Sequence, residues 1–284
     1  MKLPKISVIT PVFNASDTLE ECISSVANQN YPNLEHWFID GLSTDGSPDI
    51  IEKYAKEFSH IKFISEKDEG IYNAMNKGID LATGEWLYFL GADDVLKAGI
   101  LTEMIPCLSL CFDFLYGDVI FKYSRILFKG DVAERKNFET VAIPHQGVFT
   151  RKSVFSLLGK YETKYRIYAD TVFHIRVMGD ARIKKMYVDK CVAVFDETGR
   201  SSFSIDSKFL HEKPKLLKKY MNVEINRENY YKSVSKYIFN EIYSLNWKDG
   251  LKNAFLAALH TGSVRFWILN SGYWMKKRYE DRYK

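Results

Sequence analysis

Four times in the first hundred residues a short apolar or β-branched run gives way to a polar turn, and after the first three turns the apolar residues recur at helical spacing. Ile6 to Thr10 is the first run. The turn Pro11-Val12-Phe13-Asn14 follows it, Asp17-Thr18-Leu19-Glu20 sets an N-cap Asp three residues before a Glu, and Leu19, Cys22, Ile23 and Val26 form the stripe. Leu34 to Asp40 repeats the run, Gly41 to Gly46 the turn, and Ser47-Pro48 starts a helix with proline at its first position and Ile50, Ile51, Tyr54 and Phe58 along one side. His60 to Ile64, a helix over Ile71 to Ala82 closed by Gly84, and the run Glu85 to Leu90 complete the series. This βαβαβαβ order with short loops predicts an α/β fold with a mainly parallel central sheet flanked by helices.

In such a sheet ligands collect beyond the carboxyl ends of the strands, where loops enter helices. The polar residues of interest stand at those ends: Pro11 and Asn14 after the first run, Asp40, Ser43, Thr44 and Asp45 after the second, Asp68 and Glu69 after the third, Asp93 and Asp94 after the fourth. Any one of them can be an ordinary cap or turn residue. Four polar turns on one sheet edge suggest a site. The spacing G-x-G is absent, and so is G-x-x-x-x-G-K, which removes the dinucleotide fingerprint and the P-loop. An acidic site can instead hold a diphosphate through a divalent cation, since carboxylates suit Mg2+ or Mn2+, which keep positions free for phosphate oxygens. Asp93 and Asp94 are the candidate metal ligands.

Composition sets the outer bounds. A chain of 284 residues, 46% hydrophobic and 27% charged, can bury a large core and carry an appendage. The weakly apolar start is unlike a signal peptide and no apolar run reaches membrane-spanning length, so a cytoplasmic protein is expected. Cys22, Cys107, Cys111 and Cys191 have no C-x-x-C spacing and read as buried free thiols. Charge is unevenly shared: residues 201–284 carry a net +8 and residues 1–200 a net −4 within the chain's +4. Two parts with different duties follow, residues 1–202 and a basic region 203–284.

The stretches "ISVITPVFNASDTLEECISSVANQNYPNLEHWFIDGLSTDGS" and "SEKDEGIYNAMNKGIDLATGEWLYFLGADDVL" resemble the family 2 glycosyltransferases, in the branch of bacterial exopolysaccharide and O-antigen assembly that includes colanic acid transferases. The resemblance spans roughly residues 5–200 and rests on several ordered motifs. It implies the GT-A fold, with a nucleotide-sugar half over about 1–100 and an acceptor half over about 101–202. It also implies inverting transfer of a sugar from a nucleotide diphosphate, with UDP the commonest donor base and GDP an alternative, and Mn2+ or Mg2+ as cofactor. Pro11, Phe13 and Asn14 then resemble the wall around base and ribose, Asp40 the acid that meets the base, and Asp45 its neighbour in the turn. Asp68 matches the acid of a D-x-G-x-x-x-A-x-N segment that ends at Asn76, near ribose and phosphates. Asp93 and Asp94 fill the second and third places of a D-x-D-type motif, one contacting ribose or sugar and the other the metal.

The acceptor half is carried by "PHQGVFTRKSVF" (144–155) and "YRIYADTVFHIRV" (165–177). Asp170 fills the place of the catalytic base, with Ala169 where relatives often have Glu. His145 and Gln146 match an H-Q pair that lines the sugar pocket, and for His145 a hydrogen-bonded structural histidine is an equal alternative. His174, one helical turn past Asp170, reads as packing. "ETGRSS" (197–202) stands where relatives carry a G-G-x-S loop; Gly199 and Ser201 fit it, while Arg200 departs from it and suits a phosphate of the donor. The chemistry follows from these groups. Charge develops on the leaving diphosphate, where a divalent ion stabilises it, and a carboxylate base on the opposite face activates the acceptor hydroxyl.

From 203 onward the pattern predicts several helices, with Phe209, Leu216, Leu217, Tyr220, Ile238, Phe239, Ile242, Leu245, Leu251, Phe255 and Leu259 among lysines. The end, "SVRFWILNSGYWMKKRYEDRYK", mixes aromatics with Lys and Arg, which suits an anionic membrane surface on the inner face of the cell membrane and equally suits packing on a neighbouring domain. A polyprenyl-linked saccharide acceptor, which the resemblance implies, favours the membrane. No nucleic-acid motif accompanies the basic residues, and no residue pattern sets an oligomeric state. Three rival functions remain. A sugar nucleotidyltransferase wants a Gly- and Arg-rich loop after the first strand, which is absent, and a glycosidase leaves the nucleotide motifs unexplained. A non-catalytic nucleotide-sugar-binding or scaffold protein leaves the joint presence of Asp93, Asp94 and Asp170 unexplained.

Overall fold

The computed structural model describes residues 3–131, 142–199, 206–225 and 230. The chain divides into two compact units, Met1–Ser202 and Phe203–Lys284.

The first unit opens with β1 (Ile6–Val12), α1 (Ser16–Ala27), β2 (Leu34–Asp40), α2 (Ser47–Glu57), β3 (Ile61–Ser65), α3 (Ile71–Leu81) and β4 (Trp86–Phe89). Strand β1 is buried at every position, as a central parallel strand covered on both faces must be. It pairs in parallel with β2 on one side and β4 on the other, and β3 extends the sheet beyond β2. Strand order therefore turns back at β1, and the loops after β1 and β4 leave the sheet side by side, which is where an open α/β sheet binds ligands.

After β4 the regular alternation ends. Strand β5 (Val95–Leu96), α4 (Ile100–Glu103), α5 (Ile105–Leu108), β6 (Phe114–Phe121) and β7 (Leu127–Phe128) come next. A 3-10 turn (His145–Gly147), β8 (Val148–Arg151), α6 (Lys152–Leu158), α7 (Ala169–Gly179) and β9 (Lys185–Phe195) follow. Strand β8 lies antiparallel between β4 and β6, β9 is parallel to β6, and β5 is antiparallel to β9. The sheet is thus parallel in its first half, as expected, and mixed as a whole. One consequence places the site. Because β8 runs against β4, the turn that begins at His145 lies at the carboxyl end of β4.

Helices cover both faces. Beneath α1, α4 and α5 the sheet buries Ile6, Val8, Trp86, Tyr88, Leu115 and Phe149 with Cys22, Val26, Leu101 and Met104. On the other face α3 lies on β1 so closely that a Cβ at Gly78 would stand 2.4 Å from Ile9 Cγ2. Beside it Phe89, Phe155, Tyr161 and Phe173 form a ring cluster that joins β4 to α6 and α7.

Helix α1 starts one residue before the expected cap. Asp17 lies inside its first turn, and the Ser16 N–H is taken at 2.9 Å by Asp45, from the loop after β2. A carboxylate from the neighbouring loop does the capping. Of the cysteines only Cys22 is buried, Cys107 and Cys191 are partly covered, and Cys111 is exposed, so the expectation of four buried thiols holds for one; all four are free.

In the second unit α8 (Ser207–Met221) is capped by Asp206, whose side chain accepts from Phe209 N at 3.0 Å. Pro214 lies inside this helix and has no N–H to give to Leu210 O. Tyr230 supplies the missing donor, its hydroxyl 3.1 Å from that carbonyl. The basic aromatic end of the chain and the remaining expected helices lie outside the described residues. No helix among the described residues is long and apolar enough to cross a membrane.

Candidate active site

The loops after β1 and β2 hold one another. Asn14, in left-handed backbone at φ 51°, donates its N–H to Ser43 Oγ at 2.8 Å and accepts from Thr44 N at 2.9 Å. Phe13 projects outward, 52% exposed, and lies against Gly41 together with Asp68. A Cβ at Gly41 would meet Asp68 Oδ2 at 2.5 Å, so glycine there is what lets Asp68 approach. Pro11 is inside β1 rather than in the turn, paired with Ile39.

Asp40 faces the protein, and Asp45 is exposed yet hydrogen-bonded to the start of α1 and of α2. Asp40 is fully buried and accepts from Ser43 N at 3.2 Å and from the Ser65 hydroxyl at 2.6 Å. Asp45 accepts from Ser16 N and from both the N–H and hydroxyl of Ser47; burial would raise its carboxyl, and these bonds outweigh it and hold it well below the usual range. Asn76, expected near the ribose and phosphates of a donor, is engaged within the protein. Its amide donates to Tyr161 O at 2.9 Å and accepts from Tyr161 N at 3.0 Å, so both ends clamp α3 to the chain before α7.

Asp93 and Asp94, expected as a ligand pair, differ in surroundings. Asp94 is 1% exposed: Oδ2 accepts from Gln146 Nε2 at 2.8 Å and from Gly91 N at 3.2 Å, and Oδ1 accepts from Asp196 N at 2.9 Å. Three segments are tied together by this one carboxylate. Asp93 is half-buried, and no other described residue donates a hydrogen bond to it. Gly91 and Gly199 both lie against it, and a Cβ at Gly199 would stand 2.7 Å from its Oδ2. Burial pushes the Asp93 carboxyl up, with the charge of Asp196 adding to this, and burial and Asp93 push Asp94 up. Among the described residues no three His, Cys, Asp or Glu side chains form a metal-binding group. Of the two, only Asp93 has oxygens that no other described residue occupies, the condition a carboxylate must meet to be open to a cation that also takes phosphate and water.

Gln146, expected in the sugar pocket, is a buried bridge instead: besides its bond to Asp94, its carbonyl accepts from the Tyr88 hydroxyl at 2.6 Å. His145, the residue before it, reaches the other way, with Nδ1 3.1 Å from Asp170 Oδ2. Asp170 stands in the first turn of α7, where the helix N-terminus favours negative charge. Its Oδ1 accepts from Thr171 N at 2.7 Å and lies 2.9 Å from the Tyr72 hydroxyl, whose single proton is shared with the nearer Ile167 carbonyl. Burial would raise the Asp170 carboxyl, and His145, His174 and Tyr72 outweigh it and hold it below the usual range. His174 is buried against Phe114, and burial holds it down at about 4, so it stays neutral. Arg200 lies outside the described residues.

Two members of the site were missed in the sequence. Asp196 follows the apolar run Val192 to Phe195, the same strand-then-carboxylate pattern as Asp40 and Asp93, and its side chain accepts from Thr198 N at 2.9 Å while Lys122 stands 3.9 Å away. Tyr72 carries no local signal, because only the packing of α3 brings its hydroxyl to Asp170.

The "PGL/p-HBAD biosynthesis glycosyltransferase" of Mycobacterium bovis is 35% identical over 224 residues, covering 75% of this chain and 86% of that protein. The crystal structure of Staphylococcus aureus TarS 1-349 in complex with UDP superposes with a TM-score of 0.63 at 18% identity, over 87% of this chain and 74% of that one. The Pyrobaculum calidifontis mannosyltransferase PcManGT, in complex with GDP-Man and Mn2+, gives 0.59 at 18% identity, over 79% and 66%. At that identity the two structures establish a shared fold. The family profile "Glycosyl transferase family 2" matches residues 7–158, from the second residue of β1 to the end of α6. A parallel half-sheet whose loops gather Asp93, a crossing half that brings in His145 and Asp170, and a sequence match over more than half the chain lead to one conclusion: the chain belongs to glycosyl transferase family 2.

Proposed function

We propose that this protein transfers a sugar, with inversion, from a nucleotide diphosphate to a hydroxyl of a saccharide acceptor in cell-surface polysaccharide assembly. UDP is the donor base, supported by the UDP complex of a structure that shares its fold. The observation that carries the reading is a half-buried Asp93, which takes no hydrogen bond from any other described residue, at the same edge of the sheet as the Asp170–His145 pair. Phe13 offers a ring face to the base, and Asn14 and Asp68 stand beside it for base and ribose. Asp40 and Asp45 hold the loops that carry these residues.

A divalent cation, Mn2+ or Mg2+, would be held by Asp93 and diphosphate oxygens, and it would neutralise charge on the leaving group. Gln146 and Asp196, through Asp94, fix the turn that presents Asp93. On the acceptor side the Asp170 centre supplies the basicity that the hydroxyl needs at neutral pH. Alignment of donor and acceptor lowers the barrier further, by up to roughly 7–11 kcal/mol when the geometry is near attack. The acceptor is taken as polyprenyl-linked, and the protein as cytoplasmic and peripheral on the membrane through its basic end.

Calorimetric binding of UDP, GDP and dTDP, each with and without Mn2+, tests this. Metal-dependent binding of UDP that is lost in Asp93→Ala supports the donor site. Binding by none of the three overturns it.

A further inference from the structure

One leucine in the loop after β2 holds a backbone conformation that suits glycine. Among the described residues five other than glycine have positive φ: Asn14, Asn30, Leu42, Arg125 and Asn222. Asparagine tolerates left-handed backbone because its short amide bonds locally, whereas a longer side chain crowds its Cβ against the following carbonyl oxygen. Leu42, at φ 64°, is the one apolar residue of the five. The same loop fills its other left-handed position with Gly46, at φ 92°. Glycine is needed at 41 for a different reason, since a Cβ there would stand 2.5 Å from Asp68 Oδ2. Leucine therefore occupies the position where glycine would cost the backbone least.

The fold does not recover that cost by burying the side chain, which is 51% exposed. An exposed leucine alone is ordinary, but an exposed leucine in left-handed backbone gives up both conformational ease and burial. The loop is nevertheless braced on either side of it. Asp40 accepts from Ser43 N at 3.2 Å with each oxygen, Ser43 Oγ accepts from Asn14 N at 2.8 Å, and Asn14 Oδ1 accepts from Thr44 N at 2.9 Å. Bracing of this kind holds a strained residue ready for a contact made only when a ligand arrives. The neighbours say which ligand. Phe13, itself 52% exposed, lies against Gly41 with its Cδ2 3.4 Å from where a Cβ would be, and Asp68 adjoins both. We propose that Leu42 is a donor-binding residue whose side chain packs, with the Phe13 ring, on the nucleoside of the sugar nucleotide. This rests on the transferase reading above. The contact is apolar and made to the nucleoside, so it contributes equally to UDP and to UMP and is independent of the cation on the diphosphate.

The test uses the full chain and two variants, Leu42→Gly and Leu42→Asn. Both suit left-handed backbone and both remove the apolar side chain, one leaving space and the other an amide of similar size. Each should bind UDP with Mn2+ about tenfold more weakly in calorimetry, equivalent to about 1.4 kcal/mol, which is part of what burying a leucine contributes. UMP, titrated by displacement of UDP, should weaken by the same factor, and melting temperatures should stay within a few degrees of wild type. Affinities within twofold of wild type in both variants overturn the proposal and leave the donor site standing. A loss seen with UDP and not with UMP also overturns it, because the side chain would then act through the diphosphate. So does a wild type from which UMP cannot displace UDP, since the nucleoside would then contribute little. Unfolding of both variants would show that Leu42 holds the loop instead, and rejects the proposal too. A wild-type chain that binds no nucleotide sinks the transferase reading itself.

Discussion

Asp93 and Asp94 share a turn and divide its work. Asp94 gathers N–H groups from Gly91, Gln146 and Asp196, and half-buried Asp93 takes none from the other described residues. Their variants should separate accordingly. Asp93→Asn is expected to remove the Mn2+ dependence of UDP binding while leaving the melting temperature within a few degrees of wild type. Asp94→Ala should cost about 1–3 kcal/mol in denaturant unfolding for each buried donor left without its acceptor. A metal-dependent Asp93→Asn would show that the cation is held elsewhere. Gly199 makes a finer prediction. A methyl there would stand 2.7 Å from Asp93 Oδ2 and must push that carboxylate aside. Since misplacement of about 1 Å can cost 10²-fold in rate, Gly199→Ala should slow UDP-sugar turnover by about that factor with an unchanged melting temperature.

At the scale of elements, the amino ends of the strands are built for stability. Glu35 on β2 is 1% exposed and accepts from the Ser7 hydroxyl at 2.6 Å and from Thr83 N at 2.6 Å, with Lys5 at 3.0 Å and Lys62 at 3.2 Å. Burial alone would raise its carboxyl, and the bonds from Ser7, Thr83 and Lys5 outweigh it and hold it at about 2. A folded-state value below the unfolded one gives stability that is present above the unfolded value and lost as pH falls toward the folded one. Each pH unit between the two values is worth about 1.4 kcal/mol before screening by solvent, so Glu35→Gln should cost about 2–3 kcal/mol at neutral pH. The penalty should shrink as pH falls from about 4.5 to about 2. Urea titrations of both proteins across that range check it, and a penalty independent of pH would reject the account. In α8 the repair of Pro214 by Tyr230 has its own consequence. Tyr230→Phe leaves Leu210 O without that donor, and amide exchange over α8 should quicken by an amount equivalent to about 1 kcal/mol.

At the scale of the molecule, the site is assembled from distant parts of one unit. Asp94 meets Asp196 across 102 residues of chain and Gln146 across 52. The crossing of β8 and β9 with the parallel half-sheet brings these contacts about, so no short fragment of the first unit should hold the site. A chain ending at Ser202 keeps the whole first unit, with Asp93, His145, Asp170 and Asp196 in it. It is expected to unfold cooperatively and to bind UDP with Mn2+ as the full chain does. A truncated chain that melts without a transition would show that the first unit depends on the second.

The sequence by itself determined the first half of the fold and the address of the site. Strands β1 to β4 and helices α1 to α3 fall within two residues of where the apolar periodicity and the turn residues put them, because hydrophobic spacing, Pro48 and the glycine turns act locally. The strand ends named as candidates are the ends where Phe13, Asp68 and Asp93 gather. Tertiary structure decided which polar side chains face outward. Asn76 and Gln146 looked available, and each is used by a partner far along the chain, Tyr161 in one case and Asp94 in the other. Tyr72 and Asp196 looked ordinary and stand in the site. A side chain's chemical type is written in the sequence, whereas its free lone pairs and protons depend on which donors and acceptors the completed sheet brings within about 3 Å.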